Sequence, residues 1–275
     1  MESKKFGVIG HPIGHSLSAV MHTKVFKEMN LPHTYEAFDV APENLEEFLK
    51  NEKGLSGINV TIPHKVAVMK SMDNLDQSAK DMHAVNTVDF GERKTGHNTD
   101  GIGFLKSLEE EGVIPEGEKV LVIGAGGVSR AILMALVGSN ANVTLTNRTR
   151  EKAEALIEEL EIKDKVKVVG YAPENLEKEL EDTYLIVNTT SIGMSPSTEN
   201  SPIPKESLRK DHIIFDVVYN PLKTRLIKDA EEIGCQTISG VNMLIHQGAQ
   251  SLRIWLGIEP PIPVMKDAVL SSLQN

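Results

Sequence analysis

Three short polar clusters near the N-terminus carry the side chains best suited to chemistry. In Ile58-Asn-Val-Thr-Ile-Pro-His-Lys65 an apolar run ends at Asn59–Thr61, and Pro63 stands where a helix can begin at its first turn. Lys65 would then lie at the positive end of the helix dipole, a setting that disfavours a cation and suits an acid–base role. A plain surface lysine is the alternative. The second cluster joins Ala84-Val-Asn86-Thr87 to Gly96-His-Asn98-Thr99-Asp100-Gly101. Asn86 is expected to close one strand and Asp100 to open a helix, as its N-cap or as a catalytic carboxylate. The third is His15-Ser16-Leu17-Ser18, after Gly10-His11-Pro12-Ile13-Gly14. Two hydroxyls one residue apart in a loop before a helix can both donate to one carboxylate, although either serine alone would be an ordinary cap. His11, His15 and His22 have no carboxylate near in sequence and a spacing unlike common metal sites, so they read as structural or loop histidines and no metal is expected.

A fourth group of residues suits a dinucleotide. Val120-Leu-Val-Ile-Gly-Ala-Gly-Gly-Val-Ser-Arg-Ala131 reads as a buried strand, a glycine-rich turn and a helix. Gly124, Gly126 and Gly127 would let the backbone approach a pyrophosphate and aim amides at it from the helix N-terminus. Ser129 stands where the common fingerprint has its third glycine, and it is small enough for close helix–sheet packing. At the end of the next strand an NAD enzyme carries Asp or Glu for the ribose 2′-hydroxyl; here the run is Asn147-Arg148-Thr149-Arg150, followed by Lys152. A guanidinium attracts a 2′-phosphate and stacks on adenine, and arginine is mildly unfavourable at a helix start. This points to NADP.

Short apolar runs alternating with helical patterns must position these residues, a signature of stacked βα units and a parallel sheet. In the first series the strand candidates are Phe6–Ile9, Tyr35–Val40, Gly57–Val60 and Val85–Phe90, and a helix capped by its own aspartate is expected from Asp100 to Glu111. A second series runs Val120–Ile123, Val143–Thr146, Val166–Val169, Leu185–Val187 and Ile213–Val217. Ala153, Leu156, Ile157 and Leu160 mark a helical stripe within it. Thr190–Lys205, with Pro196, Pro202 and Pro204, is a long loop, and the chain from Gly240 onward is helical with a break at Glu259-Pro-Pro-Ile-Pro263.

With 275 residues the chain is long enough for two domains. Its net charge of −10 argues against a nucleic-acid partner, so an anion site has to be a local arrangement of donors. Cys235 is the only cysteine, which excludes an internal disulfide and fits a reducing compartment. The N-terminal apolar run stops at Gly10-His11-Pro12, too soon for a signal peptide, and no run has the length of a membrane span. The expected setting is cytoplasmic, with a small-molecule substrate and no membrane partner, as a monomer or homodimer.

Taken together, these clusters closely resemble the shikimate dehydrogenase family. The likeness continues through Asn188-Thr-Thr-Ser-Ile-Gly-Met194, Asp216-Val-Val-Tyr-Asn-Pro221 and Met243-Leu-Ile-His-Gln247 and spans nearly the whole chain in order. It departs at Ala19, where the family usually has proline, and at Thr23, where it usually has asparagine; neither change removes a donor. The resemblance implies an α/β protein of two domains: a substrate and catalytic domain over 1–103 and a Rossmann-type NADP domain over 104–240, with C-terminal helices over 241–275 returning to the first. It implies that Ser16 and Ser18 bind the carboxylate of shikimate or 3-dehydroshikimate, with Tyr219 nearby, and that Thr61, Asn86, Asp100 and Gln247 hold the ring hydroxyls. Lys65 and Asp100 would be the catalytic pair. Gly124, Ala125, Gly126, Gly127, Val128 and Ser129 would cradle the pyrophosphate, Asn147, Arg148, Thr149 and Lys152 the adenosine end, and Gly240 and Met243 would lie near the nicotinamide. Two rivals remain: a quinate/shikimate enzyme with broader substrate or cofactor use, and a non-catalytic nucleotide-sensing protein, which would be expected to lack Lys65 or Asp100.

Overall fold

The computed structural model describes residues 2–14, 16–51 and 54–274; the reading of His15 falls outside them. The chain divides into two compact units, Met1–Gly103 with Ile245–Asn275, and Phe104–Leu244.

The first unit holds the strands β1 (Lys5–Gly10), β2 (Thr34–Asp39), β3 (Leu55–Val60), β4 (Asn74–Leu75), β5 (Thr87–Phe90) and β6 (Lys94–His97). They form one sheet in the order β2-β1-β3-β5-β6-β4. The segment β1 to β3 is parallel, as expected for βα units, but β5 runs antiparallel to both β3 and β6. Only Gly91-Glu92-Arg93 link β5 to β6, too few residues for the crossover that a parallel pair requires. The expectation of an all-parallel sheet therefore fails in this unit. β4 and β6 went unforeseen because they are short and carry no apolar run.

Helices α1 (Ser18–Glu28), α2 (Leu45–Asn51) and α3 (Gln77–Met82) complete the N-terminal part of this unit. Pro63 starts no α-helix; a turn leads instead into a 3-10 segment at Ala67–Ser71. Lys65 thus has no helix dipole behind it. One side of the sheet buries Ile9, Ile58, Val60 and Val88 with Leu45, Leu49 and Val68. An aromatic cluster fills another part of the unit: Phe6 stacks on Trp255 with centroids 5.0 Å apart, and Trp255 Nε1 donates to the Val88 carbonyl at 3.0 Å.

α4 (Asp100–Glu110) begins in the first unit and crosses into the second after Gly103, followed by β7 (Lys119–Ile123), α5 (Gly127–Gly138), β8 (Asn142–Asn147), α6 (Arg150–Glu159), β9 (Val166–Gly170) and α7 (Pro173–Leu180). Then come β10 (Leu185–Asn188), β11 (Ile213–Asp216), α8 (Arg225–Ile233), β12 (Gln236–Ser239), α9 (Gly240–Leu256) and α10 (Ile262–Leu273). The unit's sheet order is β12-β11-β10-β7-β8-β9, all parallel, which is the doubly wound dinucleotide-binding order. β12 was missed from sequence: Gln236-Thr-Ile-Ser239 has one buried apolar residue. Along β7, Val120 and Val122 join one core while Leu121 and Ile123 join the other. Both faces are apolar because helices cover both. The division between units falls inside α9; its second half and α10 belong to the first unit, where α10 packs on α1. No helix of the described residues is long and apolar enough to cross a membrane.

Candidate active site

The first unit brings three separated side chains to one point at strand ends. Asn86 lies just before β5, its carbonyl accepting from Val60 N at 2.8 Å and its amide donating to His97 O at 3.0 Å. It therefore opens a strand where it was expected to close one. Val85 N donates to the Lys65 carbonyl at 2.7 Å, which pins the turn after β3 beside Asn86. Lys65 Nζ donates to Asp100 Oδ2 at 2.5 Å, and Asn86 Nδ2 donates to Asp100 Oδ1 at 2.8 Å. Both carboxylate oxygens of Asp100 are thus engaged by other segments. The N-cap reading of Asp100 gives way, since its own backbone N–H is accepted by Asn98 Oδ1 at 3.0 Å. The Lys65 and Asp100 side chains keep only 15% and 8% of their exposure. A buried ion pair is a costly element that a scaffold seldom gains from, so this one points to chemistry. Gln247, on α9, joins the group: its Oε1 accepts from Asn86 Nδ2 at 3.4 Å. Thr61 is half-buried at the end of β3, its amide donating to Ile9 O at 2.9 Å.

The serine pair sits at the start of α1. The cap position is Leu17, with no side-chain cap bond, so neither serine is the ordinary cap. Ser16 Oγ accepts weakly from Ser18 N at 3.4 Å. Ala19 and Thr23 both lie on α1. Beneath them His22 Nδ1 donates to the Ser18 carbonyl at 2.8 Å and its ring stacks on Tyr35 at 4.3 Å. Its Nε2 is buried against the Gly248 backbone without a well-formed hydrogen bond. Burial lowers this imidazole to about 4. His11 bonds the exposed Asp39 at 2.8 Å, and no cluster of metal-ligand type occurs among the described residues.

In the second unit the glycine turn follows β7. Gly124 has φ +111°, and a Cβ there would come within 2.7 Å of Thr189 Oγ1, so the position admits only glycine. At Gly126 and Gly127 a Cβ would meet nothing within 4 Å, so an anion can approach the α5 N-terminus closely, although the Gly126 amide is itself engaged by Ser129 Oγ. Ala125 and Val128 pack partly against the core. Ser129 is fully buried, and its hydroxyl is engaged inside the loop, accepting from Gly126 N at 3.0 Å and bonding Thr189 Oγ1 at 2.7 Å. Its part is to shape the turn, with Thr189 as a partner that sequence reasoning missed.

At the end of β8, Asn147 Nδ2 donates to the Thr149 carbonyl at 2.7 Å. Arg150 pairs with Glu154 at 2.8 Å. Arg148 and Lys152 are exposed and have no side-chain hydrogen bond or ion pair among the described residues. A cation left without a partner beside an open glycine turn fits the phosphate of NADP. Gly240 packs so closely on the β11 end that a Cβ would lie 2.2 Å from Val217 O, and Met243 is buried in the unit's core. Tyr219 follows β11, half-buried, with burial pushing its phenol up. Asp216, also unassigned from sequence, ends β11 fully buried. It accepts from Asn188 Nδ2 at 2.9 Å, Val218 N at 3.0 Å and Thr224 Oγ1 at 2.6 Å, yet burial outweighs these donors and raises it to about 6.

A doubly wound nucleotide unit, joined in one chain to an α/β unit with a buried Lys–Asp pair, defines a dinucleotide-dependent oxidoreductase. Residues 8–88 match the shikimate dehydrogenase substrate binding domain, 110–218 the shikimate/quinate 5-dehydrogenase family and 240–270 the shikimate 5′-dehydrogenase C-terminal domain. The chain is 44% identical to the NADP(+) shikimate dehydrogenase of Methanopyrus kandleri, over 99% of this chain and 97% of that protein. A crystal structure of a shikimate dehydrogenase with NADP+ matches with TM-score 0.93 at 41% identity, covering 99% of this chain and 96% of the other. The Thermus thermophilus enzyme with NADP(H) and shikimate matches with TM-score 0.87 at 36% identity, covering 98% and 100%. This chain belongs to the shikimate dehydrogenase family.

Proposed function

We propose that this protein is an NADP-dependent shikimate dehydrogenase working in the cytoplasm, reducing the ketone of 3-dehydroshikimate to shikimate on the way to chorismate and the aromatic amino acids. The observation that carries the reading is the buried Lys65–Asp100 pair, 2.5 Å apart and braced by Asn86. When bound, NADPH supplies the hydride that reduces the carbonyl carbon. Negative charge then develops on the carbonyl oxygen, where the Lys65 ammonium stabilises it and gives it a proton. Asp100 orients Lys65, and in oxidation the same amine takes the proton back. Ser16 and Ser18 donate to the substrate carboxylate, Tyr219 is a further substrate-binding residue, and Thr61, Asn86, Asp100 and Gln247 bind the ring hydroxyls. Gly124 to Ser129 hold the pyrophosphate, Asn147, Arg148, Thr149 and Lys152 the adenosine end, and Gly240 and Met243 border the nicotinamide. The open space around Gly126 and Gly127 and an Arg148 without a side-chain partner among the described residues support NADP as the cofactor.

The test follows nicotinamide absorbance with shikimate or quinate and with NADP or NAD. Turnover is expected to be highest with shikimate and NADP, and Lys65→Ala should lower kcat by roughly 10²–10⁴-fold with little change in KM. Equal use of quinate and NAD would favour the broader enzyme, and a Lys65→Ala protein with near-normal kcat would remove Lys65 from the chemistry.

A further inference from the structure

Asn59 ends the same apolar run as Thr61, yet its side chain faces into the unit, 5% exposed, with both ends of its amide hydrogen-bonded. Its Oδ1 accepts from the Tyr35 phenol at 2.7 Å. Its Nδ2 donates to Thr87 Oγ1 at 3.0 Å, to Ser251 Oγ at 2.9 Å and, more weakly, to the Asn86 carbonyl at 3.3 Å. These partners come from β2, the start of β5 and α9, so one amide cross-links the segments that carry Asn86 and Gln247 to β3, whose end leads to Lys65.

The bonds also have a sense, left open only between Thr87 Oγ1 and Ser251 Oγ, which lie 2.9 Å apart with either able to donate. A phenol donating to Asn59 Oδ1 leaves Nδ2 as the donor on the other side. Ser251 accepts from that donor and passes its own proton to the Gln247 carbonyl at 3.1 Å. Thr87 accepts likewise and gives its proton to Asn86 Oδ1 at 3.0 Å. That oxygen also accepts from Thr99 N at 2.8 Å, so Asn86 must turn its Nδ2 to Asp100. Desolvation raises the Tyr35 phenol well above its ordinary value, which keeps the first donor of the series protonated.

We infer that Asn59, acting through Thr87, is a positioning residue for the reaction: it fixes the direction and place of the Asn86 amide that braces Asp100 and hence Lys65. The inference rests on the proposed Lys65–Asp100 chemistry. Neither Asn59 nor Thr87 needs to touch the substrate. Removing the Thr87 hydroxyl leaves one Asn59 donor only the longer 3.3 Å contact with the Asn86 carbonyl and withdraws one of the donors on Asn86 Oδ1, so Asn86 is held less firmly toward Asp100.

The experiment uses the full-length enzyme in Thr87→Val, which preserves shape, and Thr87→Ser, which restores the hydroxyl. Asn59→Asp is a third variant, in which the donor end of the side chain becomes an acceptor. The readouts are kcat, KM for shikimate and for NADP, the pH profile of kcat, and thermal stability. Thr87→Val is expected to lower kcat roughly tenfold or more, the scale of one lost hydrogen bond. It should also move the pH profile, leave KM for NADP within about twofold of wild type, and be rescued by serine. Asn59→Asp, if it folds, should fall further. A Thr87→Val enzyme with wild-type kcat and pH profile overturns the inference, as does a loss that tracks stability alone and is not rescued. Lys65→Ala run alongside separates the two failures: if it too retains full kcat, the underlying catalytic reading is what has failed.

Discussion

His22 and Asp216 should pull stability in opposite directions as pH changes. His22 lies sealed beneath α1 against Tyr35, and burial lowers its imidazole from 6.5 to about 4, only partly offset by its hydrogen bond to the Ser18 carbonyl. In the unfolded chain the ring regains the ordinary value. The stability contributed by the neutral ring is therefore complete above 6.5 and is lost as pH falls through about 4. That difference corresponds to about 3 kcal/mol. For Asp216 the sign reverses, because burial raises its carboxyl from 3.8 to about 6. Its contribution is complete below 3.8 and is lost as pH rises through about 6, again about 3 kcal/mol. Over the shared window the two nearly cancel in the native sequence, and single variants expose them. His22→Asn keeps a donor for the Ser18 carbonyl, and Asp216→Asn keeps an acceptor for Asn188 and Val218. Urea unfolding would be measured from about pH 7.5 to about pH 4.5. Relative to wild type, His22→Asn should gain about 2–3 kcal/mol on acidification and Asp216→Asn should lose a similar amount. The sole tryptophan, Trp255, lies 6.1 Å from His22 by ring centroid, so its fluorescence reports the unit that holds His22. Far-UV circular dichroism covers the other unit, where Asp216 lies. If both difference curves are flat, these groups are not held as their burial implies, and the reasoning fails.

Two further outcomes concern the nucleotide unit. Arg148→Ala should weaken NADP by roughly 1.5–3 kcal/mol and NAD much less, and Asn147→Asp added to it should narrow the preference further; kcat/KM for both cofactors at saturating shikimate checks this, and an unmoved ratio would put the 2′-phosphate elsewhere. Gly124→Ala, forced to φ +111° with a Cβ 2.7 Å from Thr189 Oγ1, should cost about 3 kcal/mol in urea unfolding and weaken NADP; wild-type values for both would mean the turn can shift without loss.

What could be read from the sequence follows the range over which each signal acts. The doubly wound unit was legible because β7, β10 and β11 are short apolar runs buried on both faces, and the glycine turn follows directly on β7. β12 and β6 were not, since a four-residue strand of mixed polarity is held by its neighbours in the sheet, not by its own pattern. Pro63 misled for a related reason: a proline permits a helix start but does not supply the residues that continue one, and here the chain closes into a 3-10 segment. Asp100 illustrates the same limit at the level of a side chain. A local cap and a buried partner for Lys65 look alike in sequence, and only the pairing of Asn86 with Val60 and His97 brings the two charges together.

The polar residues to which the sequence assigned no role, Asn59, Thr87, Asn98 and Ser251, are all buried, and each bonds a residue of the candidate site or its immediate neighbour. Singly each would be a liability, because an isolated buried amide or hydroxyl is destabilising. Their joint presence is consistent only if each satisfies another, as the series from Tyr35 to Asp100 does. Such a set resists small shifts, since moving one member leaves a buried donor or acceptor unpaired at its neighbour. An ammonium and a carboxylate taken out of water need that resistance. Without it the pair would lower its energy by turning toward solvent, and Lys65 would lose its fixed aim.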